Sequence, residues 1–380
     1  MKNNYLSHIE ISKENLIHNI KQFRSLVKKE TQIISAIKAN AYGHGQKEVI
    51  DILASYTDAF MINSFEELEM LRKQTKKKTF VLGYVMESDL AKAMKLDCVL
   101  SVFSREHLLN ISAIGKKLNK VQEVHLAVDA HLGREGVLFT ELPEIFTEIK
   151  KSKYIKLTGI YAHFANIEDT TDFSHANKQI ATHRMAVNLA KEYGFKNLQT
   201  HISATSGVMA YEIKENAHPL VRIGIGLYGL WPSEELKNTF KKIHPKFNLL
   251  PVLSWKTKIA QVKTLSKGST VGYGLTYKTK KETKVAVIPQ GYADGLDRRL
   301  SNKGEVLIGG TRCKILGRVM MNMFVVDVNH LKDLCAEDKV VIIGKQNKLE
   351  ITAEDLAEKI GTINYEVVAH LSALLPRVVI

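Results

Sequence analysis

Cysteine is scarce in this 380-residue chain: Cys98, Cys313 and Cys335 are the only three. Their spacing matches neither a disulfide framework nor a paired metal-ligand motif. Such usage fits a reducing compartment and makes the cytoplasm the expected location. No apolar run approaches the ~20 residues needed to span a bilayer. Met1-Lys2-Asn3-Asn4-Tyr5 leads into polar sequence without the apolar core of a signal peptide. A membrane role is therefore not expected. Zinc and calcium ligand spacings are absent, so no metal site is expected either. Acidic charge is in deficit, leaving a net charge of +14. Yet there is no basic arm, no helix-turn-helix signature and no interleaving of aromatic with basic residues, which argues against a nucleic-acid partner. The lysines are dispersed, densest at Lys76, Lys77 and Lys78. They read as a solvated surface that favours small anionic ligands.

What the chain does contain is a repeated alternation. Short apolar runs occur at Ile33–Ile37, Ala59–Ile62, Phe80–Leu82, Cys98–Val102, Val124–Val128, Leu157–His163, Leu198–Ile202 and Val221–Leu227. Amphipathic helical patterns lie between them, near Gln46–Ser55, Ser64–Gln74, Ser88–Lys95, Arg105–Leu118, Leu142–Lys151 and Asp172–Tyr193. Alternating strands and helices imply βαβ units and a parallel sheet. Eight such strands over about 220 residues predict a TIM-like (β/α)8 barrel, with an open doubly wound sheet as the alternative. From Asn248 onward the pattern becomes strand-like, at Leu253–Val262, Val285–Pro289, Glu305–Ile308, Val319–Val328 and Val340–Ile343. The predicted fold is thus α/β: a barrel domain over 1–240, then a mostly β domain over 241–380. A short N-terminal strand could join the second domain.

One stretch organises the rest. Ile33–Ile37 is a β-branched run without polar alternation, as suits a strand buried on both faces. It ends on Lys38, followed by Ala39-Asn40-Ala41-Tyr42-Gly43-His44-Gly45. Desolvation at a buried strand end lowers a lysine's pKa and makes it a usable amine nucleophile. An ordinary lysine with its amine in water is the competing reading. Gly43 and Gly45 are read as letting the loop pass close to a ligand. A second pattern, Gly224-x-Gly226-x-x-Gly229, matches a dinucleotide fingerprint, but Pro232 follows too soon for the required helix. Those glycines, which lie in the eighth apolar run, are read instead as part of a phosphate cradle.

The string Ala36-Ile37-Lys38-Ala39-Asn40-Ala41-Tyr42-Gly43-His44-Gly45 closely resembles the pyridoxal-phosphate lysine motif of the alanine racemase family. So do Val271-Gly272-Tyr273-Gly274, Gly291-Tyr292-Ala293-Asp294-Gly295 and Gly317-Arg318-Val319-Met320-Met321-Asn322, and the resemblance runs from Glu10 to Arg377. It implies a racemase of amino acids that uses pyridoxal 5'-phosphate and supplies D-alanine for peptidoglycan. The expected catalytic pair is Lys38, serving the face of the D-isomer, and Tyr273 opposite. A tyrosine pKa of about 10 means that a tyrosine base needs cationic help. Arg222 matches the arginine set against the pyridine nitrogen; an always-protonated arginine cannot leave that nitrogen charged as an aspartate would. Arg134 and Met321 are the expected substrate-binding residues. Tyr42, His163, Thr205, Ser206, Gly224 and Ile225 are expected to hold the cofactor with Lys38 and Arg222. Glu168, Tyr292, Arg298 and Arg318 would line the entrance. The residues matching Tyr273 and Met321 serve the neighbouring subunit's site in this family, so a homodimer with shared active sites is implied.

The chain departs from the family pattern in places. Ala127 stands where many relatives carry a lysine that becomes carbamylated and orients the arginine. Thr205 replaces an asparagine of many relatives, and Ala373 stands where some have a gate-narrowing tyrosine. The room left by Ala373 suggests tolerance of serine. A broader amino-acid racemase, a pyridoxal-phosphate decarboxylase and a non-catalytic carrier of the cofactor are the competing functions.

Overall fold

A computed structural model describes residues 5–211 and 218–380. The chain divides into two compact units. One holds Glu14–Ala39 and Val49–Leu250; the other holds Met1–Lys13, Asn40–Glu48 and Pro251–Ile380. Ahead of the first unit's strands lies β1 (His8–Ile11), which belongs to the second.

The first unit is the predicted barrel. Its strands are β2 (Gln32–Ala36), β3 (Ala59–Ile62), β4 (Thr79–Val81), β5 (Val99–Val102), β6 (Gln122–Ala127), β7 (Ile155–Tyr161), β8 (Gln199–His201) and β9 (Leu220–Ile223). They form one parallel sheet in the order β8-β7-β6-β5-β4-β3-β2-β9. The sheet is nearly closed: just past β8, the Ser203 carbonyl accepts from Arg222 N–H of β9 at 3.1 Å. Every residue of β3, β4 and β5 is buried, as an interior strand covered by helices demands. Helix starts follow local chemistry. Ser64 caps helix Phe65–Arg72 with a full capping box to Glu67, and Ser104 caps Arg105–Leu118.

The barrel extends past the expected limit at residue 240. Helix Glu234–Ile243 buries Leu236 and Phe240. Beyond it, Phe247 packs edge-on against Phe23, with ring centroids 5.6 Å apart. Asn19 then clasps the chain end by donating to Leu250 O and accepting from Leu250 N–H, both at 2.9 Å. Tertiary contacts with helix Lys13–Leu26 thus carry the unit to Leu250. The Gly224–Gly226 stretch, expected inside the last strand, follows β9 and leads into a 3-10 turn at Ile225–Tyr228.

The second unit is mostly β. Its further strands are β10 (Leu253–Lys258), β11 (Gln261–Leu265), β12 (Thr283–Ile288), β13 (Glu305–Ile308), β14 (Thr311–Leu316), β15 (Phe324–Asp327), β16 (Lys339–Gln346), β17 (Leu349–Ile351) and β18 (Arg377–Val379). With β1 they make a ten-stranded sheet ordered β11-β12-β15-β14-β13-β16-β10-β1-β18, with β17 on β16. β1 pairs antiparallel with β10 and parallel with β18. Trp255 fills the core, and its indole donates to Gln290 Oε1 at 3.0 Å. The run Val319–Val328 is a strand only from Phe324, because Val319–Met323 turns.

The segment after Lys38 has an uncommon conformation. Lys38–Tyr42 forms one helical turn, and Ala39, Asn40, Ala41 and Tyr42 all have φ between 52° and 54°. The turn is therefore left-handed, costing about 1–2 kcal/mol per residue. Hydrogen bonds in the segment 40–46, which belongs to the second unit, tie down the chain from Asn40 onward. Asn40 O accepts from Gly45 N–H at 2.9 Å, and Asn40 Oδ1 from Gln46 N–H at 2.9 Å. His44 Nδ1 lies 2.9 Å from Tyr42 O, and Arg377 Nη2 donates to Gly43 O at 2.8 Å. Gly43 and Gly45, read as making room for a ligand, meet protein instead. A Cβ on Gly43 would sit 1.8 Å from Val368 O; one on Gly45 would sit 2.3 Å from Glu48 Oε2. Gly43→Ala, at φ +80° against fixed backbone, should destabilise by about 3 kcal/mol or more. An unchanged urea midpoint would refute that packing.

Candidate active site

Parallel strands bring their C-terminal ends to one end of a barrel. Lys38 follows β2, Arg134 lies after β6, His163 just after β7, and Thr205 and Ser206 after β8; Arg222 lies in β9. Lys38 is half-buried. Burial first, then the nearby Arg134 guanidinium, pull its pKa below the ordinary lysine value, while Glu67 pulls the other way. The amine is thus more readily neutral than a surface lysine's. Glu67 also fixes the backbone beside it. Its Oε1 accepts from Ala39 N–H at 2.5 Å, and its Oε2 accepts from Asn63 N–H at 2.7 Å. One carboxylate therefore caps a helix and anchors the residue after Lys38. Sequence reading passed over Glu67, although Ser64-x-x-Glu67 carries the capping-box signal.

Arg222 is buried, at 4% exposure. Its Nη2 donates to Ala162 O and Ile202 O, each at 2.7 Å, and lies 3.3 Å from His163 Nδ1. A guanidinium can only donate, so His163 Nδ1 accepts and the ring is neutral. Burial, then Arg222, hold its pKa well below the usual histidine value, in agreement. The Arg222 guanidinium also lies over the Tyr161 ring, 5.3 Å from its centroid.

Beneath lies a polar floor absent from the sequence reading. Tyr161 donates to Ser101 Oγ at 3.0 Å and stacks on His201, with centroids 5.0 Å apart. His201 Nε2 lies 2.9 Å from His125 Nδ1, so one ring donates to the other. Burial, then Lys78, push His125 down to about 3. Burial, then Arg222, hold His201 well below its ordinary value. Both rings are neutral when folded but protonate near 6.5 when unfolded. The unfolded chain therefore takes up protons first as pH falls. Stability is full above pH ~6.5 and is lost as pH drops toward the folded values. At pH 4.5, His125 alone should cost about 2–3 kcal/mol relative to pH 7. Urea midpoints at the two pH values measure this, and a flat profile would contradict a neutral pair.

After β8 and β9 the chain makes two turns. Thr205 Oγ1 accepts from Gly224 N–H at 3.1 Å and Gly226 N–H at 3.3 Å. Those groups are thereby engaged within the protein, and Thr205 shapes the turn. A Cβ on Gly226 would lie 2.4 Å from the Phe23 ring. Core packing against Phe23 alone therefore accounts for a glycine here. Glu168 is half-buried on the loop after β7, beside buried Ile167.

Arg134 lies on the loop 129–136. Asp129 Oδ1 shapes that loop by accepting from Leu132 N–H at 2.9 Å and Gly133 N–H at 3.0 Å. The loop closes where Val137 N–H donates to Ala127 O at 2.8 Å. The Arg134 guanidinium pairs with Glu135, a residue the sequence reading did not single out.

The remaining expected residues sit in the second unit. Tyr42 is in the left-handed turn, with its ring 6.2 Å from that of Tyr365. Tyr273 begins a 3-10 turn between Gly272 (φ +70°) and Gly274 (φ +71°). A Cβ on Gly274 would lie 2.9 Å from the Arg318 guanidinium, which would have to shift, and the φ of +71° itself favours glycine. Tyr292 N–H and Ala293 N–H donate to the carbonyls of Met320 and Met321, at 3.0 and 2.9 Å. Tyr292 and Arg298 line a cleft of about 430 Å³ with Gly295, Leu296, Asp297 and His370. Tyr273 is 73% exposed, Met321 56% and Tyr292 44%. The unit thus presents an aromatic and apolar cluster to its surroundings.

Comparison with known proteins places the chain in a family. Residues 11–232 match the family model of the alanine racemase N-terminal domain, and residues 252–379 that of the C-terminal domain. An alanine racemase of Leptospira interrogans is 36% identical over 385 residues, covering 100% of this chain and 97% of that protein. One of Desulforamulus reducens is 36% identical over 375 residues, covering 98% of each. The crystal structure of alanine racemase from Bacillus anthracis with bound L-Ala-P has a TM-score of 0.93 at 30% identity. It covers 100% of this chain and 96% of that one. With a barrel whose first strand leads into a half-buried lysine, a buried arginine in its last strand, and both domain models matched, the chain belongs to the alanine racemase family.

Proposed function

We propose that the chain interconverts L- and D-alanine, with pyridoxal 5'-phosphate bound through Lys38. The observation that carries this reading is the barrel-mouth trio. Lys38 has a lowered pKa, Arg222 is buried, and His163 is held neutral against it. These residues fit the cofactor: an amine able to attack an aldehyde, and a fixed cation for the ring nitrogen. Ser206, Ile225 N–H and Tyr42 are the proposed phosphate partners, with Thr205 and Gly224 shaping the turn around them. When bound, the cofactor supplies the electron sink that makes the α-proton acidic.

The chain's own groups do the rest. Arg134 and Met321 hold the substrate carboxylate, which fixes the α-carbon between two proton carriers. Lys38 Nζ moves the proton on the D-face and the Tyr273 hydroxyl moves it on the L-face. His163, already neutral, leaves Arg222 as the local cation and takes no proton itself. Glu168, Tyr292, Arg298 and Arg318 form the charged and aromatic entrance. Tyr273 and Met321 are proposed to serve the site of a second copy, so a homodimer is required. Their exposure on the isolated chain supports this.

The test is exchange of the α-hydrogen of each alanine enantiomer in D2O by the cofactor-loaded protein, with serine alongside. Exchange from both alanine enantiomers is expected. Exchange from neither would end the reading, and a serine rate equal to that of alanine would favour a broader racemase.

A further inference from the structure

Arg134 lies on a loop with its side chain 56% exposed. An arginine so placed carries about 2 kcal/mol of rotamer entropy. It must be restrained before it can meet a ligand in one orientation. Ala127, at the end of β6, is buried and carries no charge. Asp129, another acid of the loop, is committed to backbone N–H groups. Glu135 is the acid on the guanidinium. Arg134 Nε donates to Glu135 Oε2, and Arg134 Nη2 donates to Glu135 Oε1 at 2.8 Å. The contact is therefore two-pronged, the geometry that fixes a guanidinium plane as well as its position. It occupies the Nε–H and one Nη2–H. The Nη1 hydrogens and the other Nη2–H remain along the opposite edge.

The pair also faces the chemistry. Arg134 and Glu135 both act on the Lys38 amine, with opposite signs, and both act on the buried Tyr161 hydroxyl. Two charges that reach Lys38 together stand at the mouth of the barrel.

We infer that Glu135 is a positioning residue, which locks the Arg134 guanidinium so that its outer edge receives the substrate carboxylate. This rests on the reading of Arg134 as a carboxylate ligand. An exposed pair contributes little to stability, so the effect belongs in substrate binding, where the guanidinium would otherwise have to be ordered at each encounter.

The experiment compares the cofactor-loaded parent with Glu135→Ala, Glu135→Gln and Glu135→Asp. KM for alanine should rise roughly five- to tenfold in Glu135→Ala and Glu135→Gln, with kcat within about twofold. Glu135→Asp should keep much of the parent behaviour. Added formate should lower the KM of Glu135→Ala by filling the vacated carboxylate position, while in the parent it only competes. Calorimetric affinity for propionate, which has the carboxylate but no amine, should fall by the same factor as KM rises. Unchanged KM and propionate affinity in Glu135→Ala would overturn the inference, as would a loss that formate cannot restore. A parent that exchanges no alanine, yet loses propionate affinity on Glu135→Ala, would sink the racemase reading and leave this role standing.

Discussion

Lys38→Ala should lose the bound chromophore and turnover of both alanine enantiomers, the latter by roughly 10⁴-fold or more, because covalent anchoring and one proton transfer vanish together. The substitution should leave the fold intact. Lys38 stands at the end of β2 with its amine partly desolvated, and deleting a desolvated cation removes a cost instead of adding one. The parent should show an absorbance band near ~420 nm that borohydride abolishes, and the variant should show none. A variant that unfolds at the parent temperature, keeps the band and turns over alanine would disprove the assignment of Lys38.

Tyr273→Phe removes one oxygen from a ring that is 73% exposed on the isolated chain. Stability should therefore stay within about 0.5 kcal/mol of the parent. The chromophore should remain, since Lys38 is untouched. Exchange of the L-alanine α-hydrogen should fall by about 10²–10⁴-fold, the range lost with a positioned acid or base. Exchange from D-alanine should suffer less if, as proposed, Lys38 serves that face. Measuring both enantiomers separately matters here. An equal loss for the two would mean that Tyr273 holds the substrate without carrying its proton. No loss at all would remove it from the reaction.

Some of this architecture was legible in the residues. Ala59–Ile62 reads as a strand because every side chain in it is apolar, and a strand covered on both faces allows nothing else. Arg105–Leu118 and Leu142–Lys151 end where the pattern ends, since helix period and flanking residues agree. The resemblance then attached roles to residues that local pattern could not rank. Tyr273 between two glycines, or His163 at a strand end, would otherwise pass as ordinary packing.

Other features were invisible for a physical reason. Ala39, Asn40, Ala41 and Tyr42 have no common preference for positive φ; the chain just past their turn, at Gly43, is packed and hydrogen-bonded by partners more than three hundred residues away, Val368 and Arg377. That Gly226 packs against Phe23 is likewise invisible in its local sequence. The His125–His201 pair and the Glu135 clamp depend on which strand ends and loops become neighbours. By itself, the sequence determined the alternation of strands and helices, the change to a β unit and the position of the lysine at the end of the first barrel strand, because these follow from periodicity and from contiguous motifs. Only the tertiary structure decided the hand of the turn after Lys38, the extension of the barrel to Leu250 and the acids that steady Lys38 and Arg134. Each of those is set by contacts between residues that share no local pattern.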